Sequence, residues 1–263
     1  MKYFDAHCHI QFPPYEEDRT VLLASMQKNE VGGLIVGVDL GSSKKAITLA
    51  DGKTLFASAG LHPNDTPDEV FDMNAYRTLL EDKKAVSVGE CGLDFFRPEE
   101  PEKEKQRQKE VFQKQIDLAG ELGLPLMIHA RPSKGTMDAY EDATHMLVEA
   151  KKTYGDNLKG NMHFFVGNIY VARKLLELDF TFSYTAILTF ARDYDEVVRF
   201  IPLTHLLTET DSPYASPKES RGKRNDPNAV RRVVEAIAEI RGEDEEVVRE
   251  AVLANARRVF MLP

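Results

Sequence analysis

Short, continuously apolar segments recur along this chain, each followed by a stretch whose apolar positions return every three to four residues, and no other feature narrows the fold as far. The strand-like segments are Phe4–His9, Gly33–Val38, Leu55–Gly60, Ala85–Glu90, Pro125–His129, Leu158–His163, Phe180–Tyr184 and His205–Glu209. The helical ones are Glu16–Asn29, Lys44–Ala50, Asp68–Glu81, Pro101–Leu122, Met137–Lys151 and Ile169–Leu178, with Asn228–Ile240 and Asp244–Phe260 closing the chain. Ser42 and Ser43 suit the cap of the second helix. A strand without polar alternation is covered on both faces, and alternation with helices makes the sheet parallel. Eight such units fit a closed (β/α)8 TIM barrel, in preference to an open doubly wound sheet. The 263 residues, 42% of them apolar, suffice for one such barrel, and no Pro/Gly/Ser-rich linker divides them. We therefore expect one domain spanning residues 1–263.

Composition excludes some classes of function. A net charge of −9 argues against a protein that coats long nucleic acid by charge alone. It leaves room for an enzyme acting at a single phosphate. No apolar run approaches the roughly 18 residues of a membrane span, and Met1 leads directly into a strand. The two cysteines, Cys8 and Cys91, are expected as free thiols in a reducing compartment, which places the protein in the cytoplasm without membrane contact. A monomer is the simplest reading.

Candidate chemistry begins at His7 and His9. Strand side chains alternate, so the two imidazoles share one face and Cys8 takes the other. A lone strand histidine is usually an ordinary residue, but ligand-type residues end several of the other strands as well. They are Glu90 on the fourth, His129 on the fifth, His163 on the sixth and Asp211 just after the eighth. A (β/α)8 barrel builds its active site at those strand ends. Four imidazoles and two carboxylates exceed what one catalytic zinc needs, so two divalent ions fit better. The economical division gives His7, His9 and Asp211 to one ion and His129 and His163 to the other, with Glu90 and a hydroxide shared. Mixed nitrogen and oxygen donors suit zinc, magnesium or manganese.

Other residues join by position. Glu209, two residues before Asp211, is a candidate for proton transfer or for supporting a ligand from behind. Asp211 is the candidate proton acceptor, with Glu90 beside it. Arg131 shares a face with His129 and suits a phosphate, while His62 ends the third strand and is read as a substrate contact. Lys218, Arg221, Lys223 and Arg224 form a basic loop that could guide an anion. His145 and His205 are read as ordinary residues.

With these residues in view, the chain resembles the TatD family of metal-dependent hydrolases, within the wider amidohydrolase-like barrels. The resemblance is carried by Asp5-Ala6-His7-Cys8-His9, Gly60-Leu61-His62-Pro63, Val88-Gly89-Glu90-Cys91-Gly92-Leu93-Asp94, Leu124–Arg131, His163–Gly167, Glu209–Tyr214 and Arg221–Asn225. It implies a barrel with one to three divalent ions that hydrolyses phosphodiester bonds, typically as a deoxyribonuclease acting on DNA. The family's ligand positions coincide with the six residues above. Two places depart from its pattern: Gln11 replaces an acid, and Phe164 and Val166 replace small polar residues around the strand-six histidine. Hydrolysis of an ester or amide, the chemistry of many related barrels, is the alternative.

Overall fold

A computed structural model describes residues 1–64, 69–96 and 101–263. Eight parallel strands form one sheet in the order of the chain: β1 (Tyr3–Cys8), β2 (Val31–Val36), β3 (Leu55–Ala59), β4 (Ala85–Asp94), β5 (Leu126–Arg131), β6 (Gly160–Met162), β7 (Thr181–Tyr184) and β8 (Leu206–Thr208). The first and last strands meet: Cys8 bridges Ser212, the His9 amide donates to the Ser212 carbonyl at 2.8 Å, and Thr208 Oγ1 donates to the Phe4 carbonyl at 3.3 Å. The sheet is thereby a TIM barrel.

The helices between strands are α1 (Arg19–Lys28), α2 (Leu40–Leu49), α3 (Met73–Leu80), α4 (Pro101–Leu122), α5 (Asp138–Tyr154), α6 (Ile169–Glu177) and α7 (Asp195–Phe200). After β8 come α8 (Val230–Arg241) and α9 (Glu245–Phe260). Three departures from the sequence pattern have a local reason. Helix α2 starts earlier because Asp39 is its cap: its carboxylate accepts from the Ser42 amide, and Ser42 reaches back to the Asp39 amide. Helix α7 has no counterpart in the periodicity, being only 6 residues long and preceded by a 3-10 turn at Arg192–Tyr194. His205 ends a 3-10 turn rather than opening β8, and its imidazole pairs with Asp179 at 3.0 Å. The expected start of the third helix, Asp68, lies outside the described residues.

Two apolar clusters fill the molecule. The larger lies between sheet and helices. The smaller holds Phe4, Ala6, Leu34, Val36, Phe56, Met127 and Leu207 against Leu253, Ala256, Val259 and Phe260 of α9, so that the last helix stoppers one end of the barrel. The opposite end carries the polar residues. β1 serves both ends because its register against β2 shifts between Asp5 and Cys8. Phe4 and Ala6 face the axis below the shift, and His7 and His9 face it above, while the Cys8 thiol turns outward to the Leu34 carbonyl at 3.4 Å. β4 bends similarly between Val88 and Cys91. There Gly92 has φ of +134°, and a Cβ at that position would meet the His129 carbonyl oxygen at 2.0 Å, so only glycine lets β4 and β5 close on each other.

Candidate metal centre

Glu90 occupies the middle of the polar end and is 3% exposed. Its Oε2 lies 3.2 Å from His7 Nε2 and 3.8 Å from His9 Nε2. Its Oε1 lies 3.0 Å from His129 Nδ1 and 3.6 Å from both His62 Nε2 and His163 Nε2. Each oxygen therefore addresses its own set of imidazoles. Asp211 closes the first set, 3.6 Å from His9 Nε2 and 4.0 Å from His7 Nε2.

Among the described residues three overlapping groups could each hold a cation: His7, His9 and Asp211; His7, Glu90 and His163; and His62, Glu90 and His129. The first is the triad expected from the sequence. His129 and His163 both face Glu90 Oε1, with ring centroids 6.2 Å apart, and neither makes its nearest ring contact with the other. His163 instead stacks on His7 at 3.6 Å, and His129 meets His62 edge-on at 4.5 Å.

The donor chemistry fits metal ions. Ligand atoms around a tetrahedral ion, bonded at about 2.0–2.2 Å, lie roughly 3.3–3.6 Å from one another. His7 Nε2 and His9 Nε2 are 3.1 Å apart, and a lone-pair nitrogen gains nothing from another at that distance unless a cation or proton is shared. The neutral His9 ring has no proton to place in that gap: its Nδ1 faces the Val36 carbonyl at 2.8 Å, an acceptor only, so Nδ1 carries the hydrogen and Nε2 the lone pair. His163 is oriented likewise, with Nδ1 3.0 Å from Glu209 Oε1 and Nε2 toward Glu90. His62 is the opposite case. Its Nδ1 accepts from the Asn64 amide at 3.2 Å, which leaves Nε2 as the N–H of the neutral ring.

Charge in this cluster follows from burial and its neighbours. Burial, helped by the nearby imidazoles of His163 and His9, lowers the pKa of His7 to about 3. Burial also opposes charge on His129, but its hydrogen bonds to Asp94 and Glu90 prevail and raise it to about 10. For His163 the carboxylates of Glu209 and Glu90 overcome burial and raise it to about 9. Glu90 is held well below the carboxylate range: burial resists ionisation, and His7, His62, His163 and His129 together outweigh it. Without metal the carboxylates are thus neutralised by protons on His129 and His163.

Supporting residues fix these groups. Glu209 is fully buried behind His163 and accepts from Ser183 Oγ at 2.5 Å and the Phe164 amide at 2.7 Å. The second bond holds Phe164 at a φ of +45°, a conformation that bulky residues rarely adopt. Asp5 accepts from Thr210 Oγ1 at 2.5 Å, the Thr210 amide at 2.8 Å and the His7 amide at 3.2 Å, tying the His7 strand to the Asp211 loop. Gln11 donates to the Val36 carbonyl that also receives His9, so an amide here does work that a carboxylate could not.

Sequence reasoning passed over Asp94. It lies 3.1 Å from His129 Nε2, on the far side of the ring from Glu90. The signal was available, because positions 90, 92 and 94 fall on one face of an extended strand. Asn64, Phe12, Phe96 and Tyr214 were also passed over; with Arg131 and the candidate ligands other than His7 they line a cavity of about 380 Å³. None of Lys218, Arg221, Lys223 or Arg224 lines it. Arg224 pairs with Asp18 at 2.9 Å and covers the Tyr15 ring, and Arg221 covers the Phe190 ring. Cys8 and Cys91 are free, buried thiols.

Comparison with known proteins agrees with this architecture. Residues 4–261 match the family profile described as TatD related DNase. A Bacillus subtilis protein named uncharacterized metal-dependent hydrolase YabD is 34% identical over 98% of this chain and 99% of its own length. YcfH of Escherichia coli K12, likewise named an uncharacterized metal-dependent hydrolase, is 34% identical over 97% of this chain and 94% of its own. The crystal structure of YjjV, a TatD homologue from Escherichia coli K12, superposes with a TM-score of 0.88 at 26% identity, over 100% of this chain and 99% of that one. Among the described residues no helix is long and apolar enough to cross a membrane. With a family match running almost end to end and a barrel whose polar mouth can surround cations, the chain belongs to the TatD-related DNase family and is a metal-dependent hydrolase of that family.

Proposed function

We propose that the chain is a two-metal phosphodiesterase acting on DNA, working as one hydrolase domain over residues 1–263. The observation that carries this reading is the Glu90 carboxylate, whose two oxygens face two different sets of imidazoles across a buried centre. Such a carboxylate is suited to bridging two cations. His7, His9 and Asp211 would hold one, His129 and His163 the other, from zinc, magnesium or manganese. When bound, divalent ions activate water and offset the negative charge of a phosphodiester.

The chain's own groups do the rest. Asp211, at the wall of the cavity, accepts the proton that the attacking water releases. Glu209 acts through His163, which it orients, and does not reach the cavity. His62 presents its Nε2–H to a substrate oxygen, the role its tautomer permits. Arg131 has no hydrogen-bond or ion-pair partner among the described residues; its guanidinium rests on the Phe96 ring at 4.0 Å from the centroid and faces the cavity. A guanidinium so placed recognises phosphate.

The test is hydrolysis of bis(p-nitrophenyl) phosphate and of DNA by metal-loaded protein, beside a panel of acyl esters. Chelator-sensitive cleavage of the phosphodiesters, at least a hundredfold weaker in Glu90→Gln, with metal content near two per chain, is expected. Turnover of acyl esters alone would reassign the reaction to a carbonyl.

A further inference from the structure

Arg131 lines three contiguous cavities. The first is the metal-centre cavity. The second, also about 380 Å³, lies between His129, His163, Phe164 and Val166. The third is a trench of about 700 Å³ that shares Phe96, Arg131 and Val166 with the others and runs outward over the loop joining β5 to α5. Its floor and walls include Lys134, Asn168 and Tyr194.

The chemistry of this trench is not that of ordinary surface. Lys134 is exposed and, like Arg131, makes no ion pair among the described residues, although Glu141 lines the same trench. Two cations that make no ion pair among the described residues therefore stand along one path in a chain whose net charge is −9. Tyr194, half-buried and packed on the core, contributes its ring to the trench lining, and Asn168 adds an amide. Aromatic surface together with unpaired cations is how single strands are held, the bases stacking and the phosphates meeting charge.

Resting on the phosphodiesterase reading, we propose that this trench is a subsite for the nucleotide units next to the scissile phosphate. Arg131 contacts the phosphate at the junction, Lys134 the next one outward, and Tyr194 stacks on a base between them. Arg131 stays pinned by Phe96, so the strand's path from the metal centre into the trench is set before substrate arrives. The consequence is selection by length: a tetranucleotide reaches the trench and a small diester does not.

The experiment uses the metal-loaded full chain and its Lys134→Ala and Tyr194→Ala variants. Turnover of bis(p-nitrophenyl) phosphate, which needs only the inner cavity, reports on the phosphodiesterase reading by itself. Binding of fluorescein-labelled single-stranded dinucleotide and tetranucleotide, measured by polarisation in calcium to suppress turnover, reports on the trench. Wild type should bind the tetranucleotide at least tenfold more tightly than the dinucleotide. Each variant should lose about tenfold in tetranucleotide affinity, in line with stacking and charge contributions of this kind, and several-fold less in kcat/KM on the small diester. Equal affinity for the two lengths, or parallel losses on both substrates, would overturn the subsite. Absence of diester turnover beside length-dependent binding would instead sink the catalytic reading and leave the trench as a binding surface.

Discussion

His129 and His163 show how single residues set the response of the centre to pH. Both imidazoles are raised in the metal-free protein, to about 10 and about 9, by carboxylates that outweigh burial. A group whose pKa rises on folding stabilises fully below its unfolded value, near 6.5, and loses that contribution as pH climbs through the folded value. His7 has the opposite sign. Its pKa falls to about 3, so between pH 6.5 and 3 the unfolded chain takes up a proton that the folded one refuses. Chelated protein should therefore lose stability on both sides of about pH 6.5, measured by urea unfolding from pH 4 to 10. Metal loading should flatten the alkaline limb, because a bound ion has already displaced those protons. For the same reason apparent metal affinity should rise between pH 7 and 9, and calorimetry in buffers of different ionisation enthalpy would show the protons leaving. Glu209→Gln is the second prediction at this scale. Gln keeps an acceptor for the Phe164 amide but loses the charge beside His163, and removing such a partner usually costs about 10–100-fold in metal affinity or activity. An unchanged metal affinity with normal turnover would show that His163 needs no carboxylate behind it.

Elements differed in how clearly the chain announced them. The eight strands were legible because each is a continuous apolar run, and buried parallel strands have no polar side to interrupt them. The candidate ligands were legible for a related reason: they are the polar residues at which those runs stop. Less legible was anything that depends on irregular backbone. The register shift in β1 puts Ala6 and His7 on the same side of the sheet although they are neighbours in the chain, which strict alternation forbids. β4 runs four residues past Glu90 to Asp94, so the two-residue spacing that puts a second carboxylate beside His129 extends beyond the apolar run that marks the strand. Helix α7 was too short for periodicity to register, and the cap of α2 lay three residues before the serines that suggested it. The end of α9 supplies a prediction about stability. Met261 follows the helix at a φ of +54° and is 53% exposed, a left-handed cap position where a side chain is strained and packs little. Met261→Gly should stabilise the protein by about 0.5–1 kcal/mol, visible as a higher denaturant midpoint with an unchanged slope.

At the scale of the whole molecule, the two ends of the barrel are closed by different physics. One is stoppered by the apolar face of α9, which packs on Phe4, Leu34, Phe56, Met127 and Leu207. The other brings residues from β1, β4 and β5, from the ends of β6 and β8 and from the loop after β3 around a buried carboxylate, which protons on His129 and His163 help to balance without metal. Ions in that position cross-link segments far apart in the chain, from His7 to Asp211, and they bind the folded barrel in preference to the unfolded chain. Saturating metal at a hundred times its dissociation constant contributes about 2.7 kcal/mol. For a chain of this length each kcal/mol moves Tm by roughly 2–4 °C, so chelation should lower Tm by about 5–10 °C. Asp211→Asn should show a much smaller difference between loaded and chelated forms, because it weakens the set that joins the two ends of the sheet. Equal Tm values for loaded and chelated wild type, at a metal content near two per chain, would mean that the ions sit in a mouth already rigid without them. The proton-bearing histidines would then be sufficient to hold the polar end of the barrel together.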